Sequence, residues 1–309
     1  MEPKIIIFYH SGGQYNIDNR NQNDNYKFFK KTKKTGLMLW NSYEHKRKFI
    51  KIKGDCIINT DHFKKNLPLV FWTEWEAESI FQLVNTNDIE KPQHIHIPIL
   101  VEDYPYSMDK FFQNTDPFVF GKNFIYSNCR QLQFSSLKNL APYSLILFGS
   151  KVNHKFVLDT LFVVKNKFSY NSNNIDNLKQ VYKSSLFEKV VLQPILQFLK
   201  NHTLSLYEGV SYYEKEKFDG IFSFVPCKIY KSPNYLFKRL ELSPEKFPEI
   251  YSKNGNISGQ GIKIIDSNKE QIQLFWKRIY QELFNNDLCA GISFHYPAII
   301  PYNRINKFF

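Results

Sequence analysis

Between Gln113 and Gln131 the chain concentrates the side chains that could do chemistry on a nucleotide. Gln113, Asn114, Asn128 and Arg130 carry the amide and guanidinium groups that hydrogen-bond base edges, Asp116 adds a carboxylate, and Tyr126 stands among Phe118, Phe120 and Phe124, rings that stack on base faces. A pocket for an extruded base needs both kinds of side chain together. The base-binding set expected here is Gln113, Asn114, Tyr126, Asn128 and Arg130, with Cys129 and Asp116 as candidate catalytic groups. A cationic neighbour such as Arg130 can make a thiol nucleophilic. The plainer alternative is an Asn-Thr-Asp-Pro turn at 114–117, with the rings entering the core and Cys129 a small buried hydrophobe.

Other clusters carry weaker chemistry. His94 and His96 lie two apart in an alternating stretch, so one strand face presents both, a spacing that can chelate a metal. His10, His62 and His154 are possible third ligands and nothing selects among them, so no metal is assigned and no cofactor can be named. Glu74, Glu76 and Glu78 could serve acid–base chemistry, although first-turn carboxylates of a helix account for them more simply. Trp72 and Trp75 could form an aromatic cage, or a hydrophobic staple. The glycines at 255, 259 and 261 match neither a phosphate loop nor a dinucleotide fingerprint.

The formal charge is +12 over 309 residues. It is uneven: residues 1–60 hold 12 Lys and Arg against 5 Asp and Glu, while residues 61–160 hold 9 against 11. A basic chain attracts polyanions through counterion release. Lys30, Lys31, Lys33 and Lys34 are the expected phosphate contacts. Lysine enrichment inherited from an AT-rich genome would produce the same count without any nucleic-acid partner.

These groups need elements to position them. Ile5 to Tyr9 reads as a buried strand, residues 46–58 as a strand pair turning at Gly54, and residues 94–97 as a strand. Residues 145–150 and 156–164 read as a hairpin of two long strands, and 221–225 and 290–294 as further strands. Thr73 to Glu76 has the form of a capping box opening a helix through Ile80, Phe81, Leu83 and Val84. A second box at Ser267 to Glu270 opens a helix whose stripe is Ile272, Phe275, Trp276, Ile279 and Leu283. A third helix runs from Leu186 to Phe198 with a kink at Pro194. Strands and helices without a βαβ rhythm predict an α+β fold: a mixed sheet, or a partly open barrel with flanking helices. The domain reading is a basic N-terminal segment at 1–60, a pocket-bearing core at 61–168, a linker at 169–178 and an α+β portion at 179–309. Four cysteines without a CxxC pair argue against a disulfide scaffold or zinc ribbon. With no signal peptide and no apolar run of spanning length, a cytoplasmic, membrane-free protein is expected.

Phe118-Val119-Phe120-Gly121, Phe124 through Arg130, Leu145 through Ser150, Phe156 through Val164, Ser223 through Cys227 and Gly259-Gln260-Gly261 together resemble the third of the nucleotide-modification-associated domain families, over residues 72 to 297. That resemblance implies association with systems that modify DNA bases, and supplies no catalytic residues. The hairpin also resembles the core hairpin of PUA-like barrels such as the EVE and ASCH modules, which hold a modified or flipped base against aromatic walls. Pro142-Tyr143-Ser144 stands where those modules place an acidic residue. The expected function is therefore nucleic-acid-directed, with DNA as the expected partner, in a base-modification or genome-defence system, recognising or processing a nucleotide in a cleft. The alternatives are a small-molecule nucleotide-modifying enzyme using Cys129 or a His-bound metal, and a protein-interaction module with no nucleic-acid activity.

Overall fold

Five apolar side chains in a row, Ile5 to Tyr9, cannot be satisfied by a strand with one wet face, and both faces of this strand are buried. In the computed structural model, which describes residues 2–14, 30–31, 38–40, 47–84, 90–102, 114–182, 184–199, 202–232, 237–252, 257 and 261–304, the strand Lys4–Ser11 lies inside a mixed sheet. It runs parallel to Leu145–Val152 and antiparallel to Gly261–Asp266. Ile6 and Phe8 enter one apolar cluster, and Ile5, Ile7 and Tyr9 enter another. The helix Lys269–Asn285 contributes Ile272, Phe275, Trp276, Ile279 and Leu283 to the second cluster, the stripe expected from the sequence.

The hairpin forms as expected, from Leu145–Val152 and Lys155–Tyr170. Asn153 and His154 both have positive φ (48° and 65°), the two-residue turn whose twist matches that of the flanking strands. The sheet continues through Leu204–Gly209 to Ile125–Tyr126, and Leu240–Glu241 pairs with the hairpin's second strand. The second sheet runs Cys289–Phe294, Val225–Ile229, His62–Glu74, Arg47–Ile58, His94–Glu102, Ser79–Leu83, Met38–Trp40, Lys30–Lys31. Among the described residues the fold is thus mixed α+β and mostly sheet, with few helices.

Several local expectations give way to tertiary pairing. Arg47–Ile58 is one strand, bulged between Gly54 and Cys56, and the turn follows it at residues 59–61. Gly54 is needed for close approach: a Cβ there would meet the Ser293 carbonyl oxygen. The box at Thr73 opens no helix, because Thr73 and Glu74 are strand residues registered against Lys48 and Arg47. Residues 79–83 form a strand paired with His94–Glu102. The box at the later helix is real but one residue on: Asn268 accepts from the Gln271 amide, and the Gln271 side chain accepts from the Asn268 amide. The helix around Pro194 contains a π turn, Glu188–Leu192, immediately before Gln193–Leu199. Proline removes one helical donor and crowds the carbonyl four residues earlier, and the widened turn accommodates that.

The segment 1–60 supplies Lys4–Ser11 to the first sheet and Arg47–Ile58 to the second. Where a linker was expected at 169–178, the hairpin strand runs to Tyr170 and the helix Ile175–Val181 follows a turn. Cys56, Cys227 and Cys289, distant in sequence, gather in the second sheet, where Cys227 and Cys289 are cross-strand partners and the Cys227 thiol donates to the Cys289 carbonyl at 3.4 Å. No helix among the described residues is long and apolar enough to cross a membrane.

Candidate functional site

The segment expected to carry a pocket turns Thr115, Asp116, Tyr126, Ser127 and Gln131 inward. Asp116 is 1% exposed, and its carboxylate accepts backbone N–H groups from Ser127 (2.9 Å), Asn128 (2.9 Å) and Cys129 (2.6 Å). Its two oxygens thereby hold the turn that follows Tyr126, and among the described residues of the segment no side chain donates to them. Burial pushes the Asp116 carboxyl up to about 7, against the pull of the three amides and with Glu74 adding to the rise. Tyr126 is fully buried, stacked on Tyr207 at 5.6 Å, with its hydroxyl donating to the Cys129 carbonyl. Burial, with Asp116 and Glu74 nearby, pushes the Cys129 thiol well above its usual range, the reverse of what a thiolate nucleophile needs. Asn128 donates to Ser127 Oγ, and Arg130, in the left-handed region at φ 64°, donates to Gln133. Asn114 Nδ2 is buried without a hydrogen-bond partner among the described residues. Gln113, Lys33 and Lys34 lie outside the described residues. Lys30 and Lys31 form a short strand at the end of the second sheet, and nothing is described of their side chains.

His94 and His96 do meet, on the strand His94–Glu102, but they bond to each other. His94 Nδ1 is 3.0 Å from His96 Nε2, and His96 Nδ1 is 2.8 Å from Ser79 Oγ. Both ring nitrogens of His96 are thus occupied. Burial, then His94 and Lys48, push it well below the usual histidine value. Among the described residues no three His, Cys, Asp or Glu side chains are placed to hold a metal.

The glutamates that a helix would have exposed are buried instead. Glu74, Glu76 and Glu78 are 2–5% exposed. Glu74 pairs with Arg47 at 2.9 Å, both side chains nearly dry, and also accepts the Asp116 N–H. Glu78 accepts the Val101 N–H, and burial raises its carboxyl. On the first sheet Asp159 is held by Ser150 Oγ at 2.5 Å and faces Arg239. Burial raises Asp159, opposed by Arg239 and then Arg47. Composition could not have revealed this interior layer of charge. The register of Arg47 opposite Glu74 is set by strand pairing, not by local spacing.

Between Phe118 and Ile125 the same segment also contributes to the lining of a concavity. A cleft of about 720 Å³ is walled by Phe118, Phe120, Tyr182, Phe187 and Tyr296, with Lys122 at its edge. Phe118 lies 5.3 Å from Phe187 and 6.3 Å from Tyr296, ring centre to ring centre. Gly121, at φ 93°, exchanges backbone hydrogen bonds with Phe294, and a Cβ there would stand 2.6 Å from the Tyr296 hydroxyl. The missing side chain is what lets Tyr296 lie over the backbone. Tyr296 remains 53% exposed, and the Tyr182 hydroxyl is buried with no partner among the described residues. Of the lining rings, Phe118 and Phe120 belong to the segment singled out from the sequence, whereas Tyr182, Phe187 and Tyr296 are brought in from distant elements, which no local spacing signals. No family model, curated protein or solved structure matches the chain.

Proposed function

We propose that the chain is a nucleotide-directed protein that takes a base into the Phe118–Tyr296 cleft, in keeping with the base-modification or genome-defence role that the resemblance to nucleotide-modification domains implies. The observation that carries this reading is a cleft of about 720 Å³ with ring walls and a buried, unpartnered Tyr182 hydroxyl. Small-molecule sites of a few hundred Å³, mostly apolar with a few polar groups, are the usual form of such pockets. The exposed Tyr296 ring offers a stacking face to a flat heterocycle, and the Tyr182 hydroxyl one directional contact to its edge. The long hairpin Leu145–Val152 and Lys155–Tyr170 is the element on which the likeness to PUA-like modules, which hold a base against aromatic walls, rests. The catalytic role first weighed for Cys129 finds no support in its raised thiol pKa.

Neutral nucleosides test the cleft without involving charge elsewhere. At least one nucleoside is expected to bind saturably and quench tyrosine fluorescence. Tyr296→Ala should weaken that binding about tenfold or more, the scale of one lost stacking contact, and Tyr182→Phe should weaken it about threefold to tenfold, as for one hydrogen bond. If no nucleoside or short oligonucleotide binds, the reading is wrong and a protein-interaction module takes its place.

A further inference from the structure

A second and much smaller cavity, about 110 Å³, opens beside the end of the first strand, bounded by Gly12, Val152, Lys155, Lys238 and Arg239. It is far too small for a nucleoside and has room for a group a few water molecules in size. Arg239 is the unusual member. Its side chain is 7% exposed, its guanidinium sits 4.4 Å over the Trp72 ring, and Nη1 stands 3.5 Å from Asp159 Oδ1. Neither terminal nitrogen makes a hydrogen bond among the described residues. A guanidinium carries five N–H donors in a rigid fork, and burying that fork with its two ends unbonded is unfavourable unless something accepts from them.

The backbone is shaped around this side chain. A Cβ on Gly12 would stand 2.9 Å from Arg239 Nη2 and 2.7 Å from Ser150 Cβ, so only glycine lets the chain pass so close. The carboxylates at the cavity mouth are already engaged, Glu241 by Lys155 at 2.9 Å and Glu90 by Lys238 at 2.5 Å. Behind the cavity, Asp159 spends its other oxygen on Ser150. Arg239 is therefore the lining cation with the weakest anionic partner, and it keeps its positive charge even with its pKa lowered by burial to about 10. Planar, paired N–H donors match the oxygens of a phosphate bidentately.

We propose that Arg239 anchors a phosphate-sized oxyanion in this cavity, with Lys155 and Lys238 at its mouth, at a site independent of the aromatic cleft. The test is titration calorimetry of the full chain with inorganic phosphate, and in parallel with methyl phosphate, at constant ionic strength balanced with chloride. Saturable one-site binding is expected, with Arg239→Gln weakening it about tenfold or more and Arg239→Lys recovering part of the loss. Lys155→Gln combined with Lys238→Gln, which changes only the exposed mouth, should weaken it about twofold to fivefold. Methyl phosphate binding as well as or better than inorganic phosphate would mark the anion as part of a larger molecule, and weaker binding would mark the free ion; both support the site. No saturable binding by the wild type up to about 10 mM overturns it. So does equal affinity in the wild type and in every variant that circular dichroism shows to be folded, the mouth variant being decisive if Arg239→Gln fails to fold. Because nucleosides carry no phosphate, failure here leaves the reading of the aromatic cleft untouched.

Discussion

Asp116 illustrates how a side chain chosen for chemistry can be one that builds the frame. Three backbone amides, from Ser127, Asn128 and Cys129, point at one buried carboxylate. Replacing it with asparagine turns a donor-bearing nitrogen toward those amides. Asp116→Asn is expected to cost about 2–4 kcal/mol of unfolding free energy, the cost of leaving buried donors unsatisfied. The pH dependence has a definite sign. The folded-state pKa is raised from 3.8 to about 7, so the folded state holds a proton that the unfolded state releases across that range. The stability this group contributes is full below about pH 4 and is lost as pH rises toward 7, after which the curve flattens. Urea unfolding at pH 5 and pH 8 isolates this contribution as a difference: going from pH 5 to pH 8 should be less unfavourable for Asp116→Asn than for the wild type, by a few kcal/mol at most. Glu78 and Asp159, also raised by burial, share that slope, so Asp116→Asn should reduce it and not abolish it. An unchanged slope in the variant would mean that Asp116 is ionised throughout.

At the level of elements, what could be read in the sequence depended on whether the signal was local or borrowed from a distant strand. The helix Lys269–Asn285 ends its first turn with a reciprocal cap, Asn268 with Gln271. Asn268→Ala should lower stability by about 1 kcal/mol, whereas Ser267→Ala, one residue outside the cap, should change it by less than half of that; thermal or urea unfolding of the two variants decides which residue caps the helix. The stripe of that helix, the apolar run at Ile5 to Tyr9 and the hairpin around Asn153 and His154 were all legible, because a 3.6-residue period, a continuous apolar run and a two-residue turn are each complete within a short stretch. Thr73 to Glu76 was misread for the opposite reason. Its capping pattern is genuine locally, but Thr73 and Glu74 gain strand partners in Lys48 and Arg47, and the Arg47–Glu74 ion pair forms with them. The aromatic cleft was legible only by half: Phe118 and Phe120 belong to the segment singled out, whereas Tyr182 and Tyr296 arrive from positions that no spacing rule connects.

For the molecule as a whole, the burial pattern changes what the net charge means. Glu74, Glu76, Glu78, Asp116 and Asp159 are all buried, as are the side chains of Arg47, Lys48 and Arg239. Among the described residues more acid than base is thus withdrawn from the surface of a chain whose formal charge is +12. Lys30–Lys31 sits at the end of the second sheet's strand order, a place where lysines also serve to discourage edge-to-edge pairing of sheets. Salt dependence separates the two roles. If Lys30, Lys31, Lys33 and Lys34 contact phosphates, single-stranded oligonucleotide binding should weaken with salt on a log–log slope that becomes shallower by about 0.7 for each contact removed, so replacing all four with glutamine should flatten it by up to about 3. The affinity for a neutral nucleoside in the cleft should stay the same, because no charge is exchanged there. An oligonucleotide slope unmoved by the fourfold replacement would assign Lys30 and Lys31 to guarding the sheet edge and leave any attraction for polyanions to the rest of the surface.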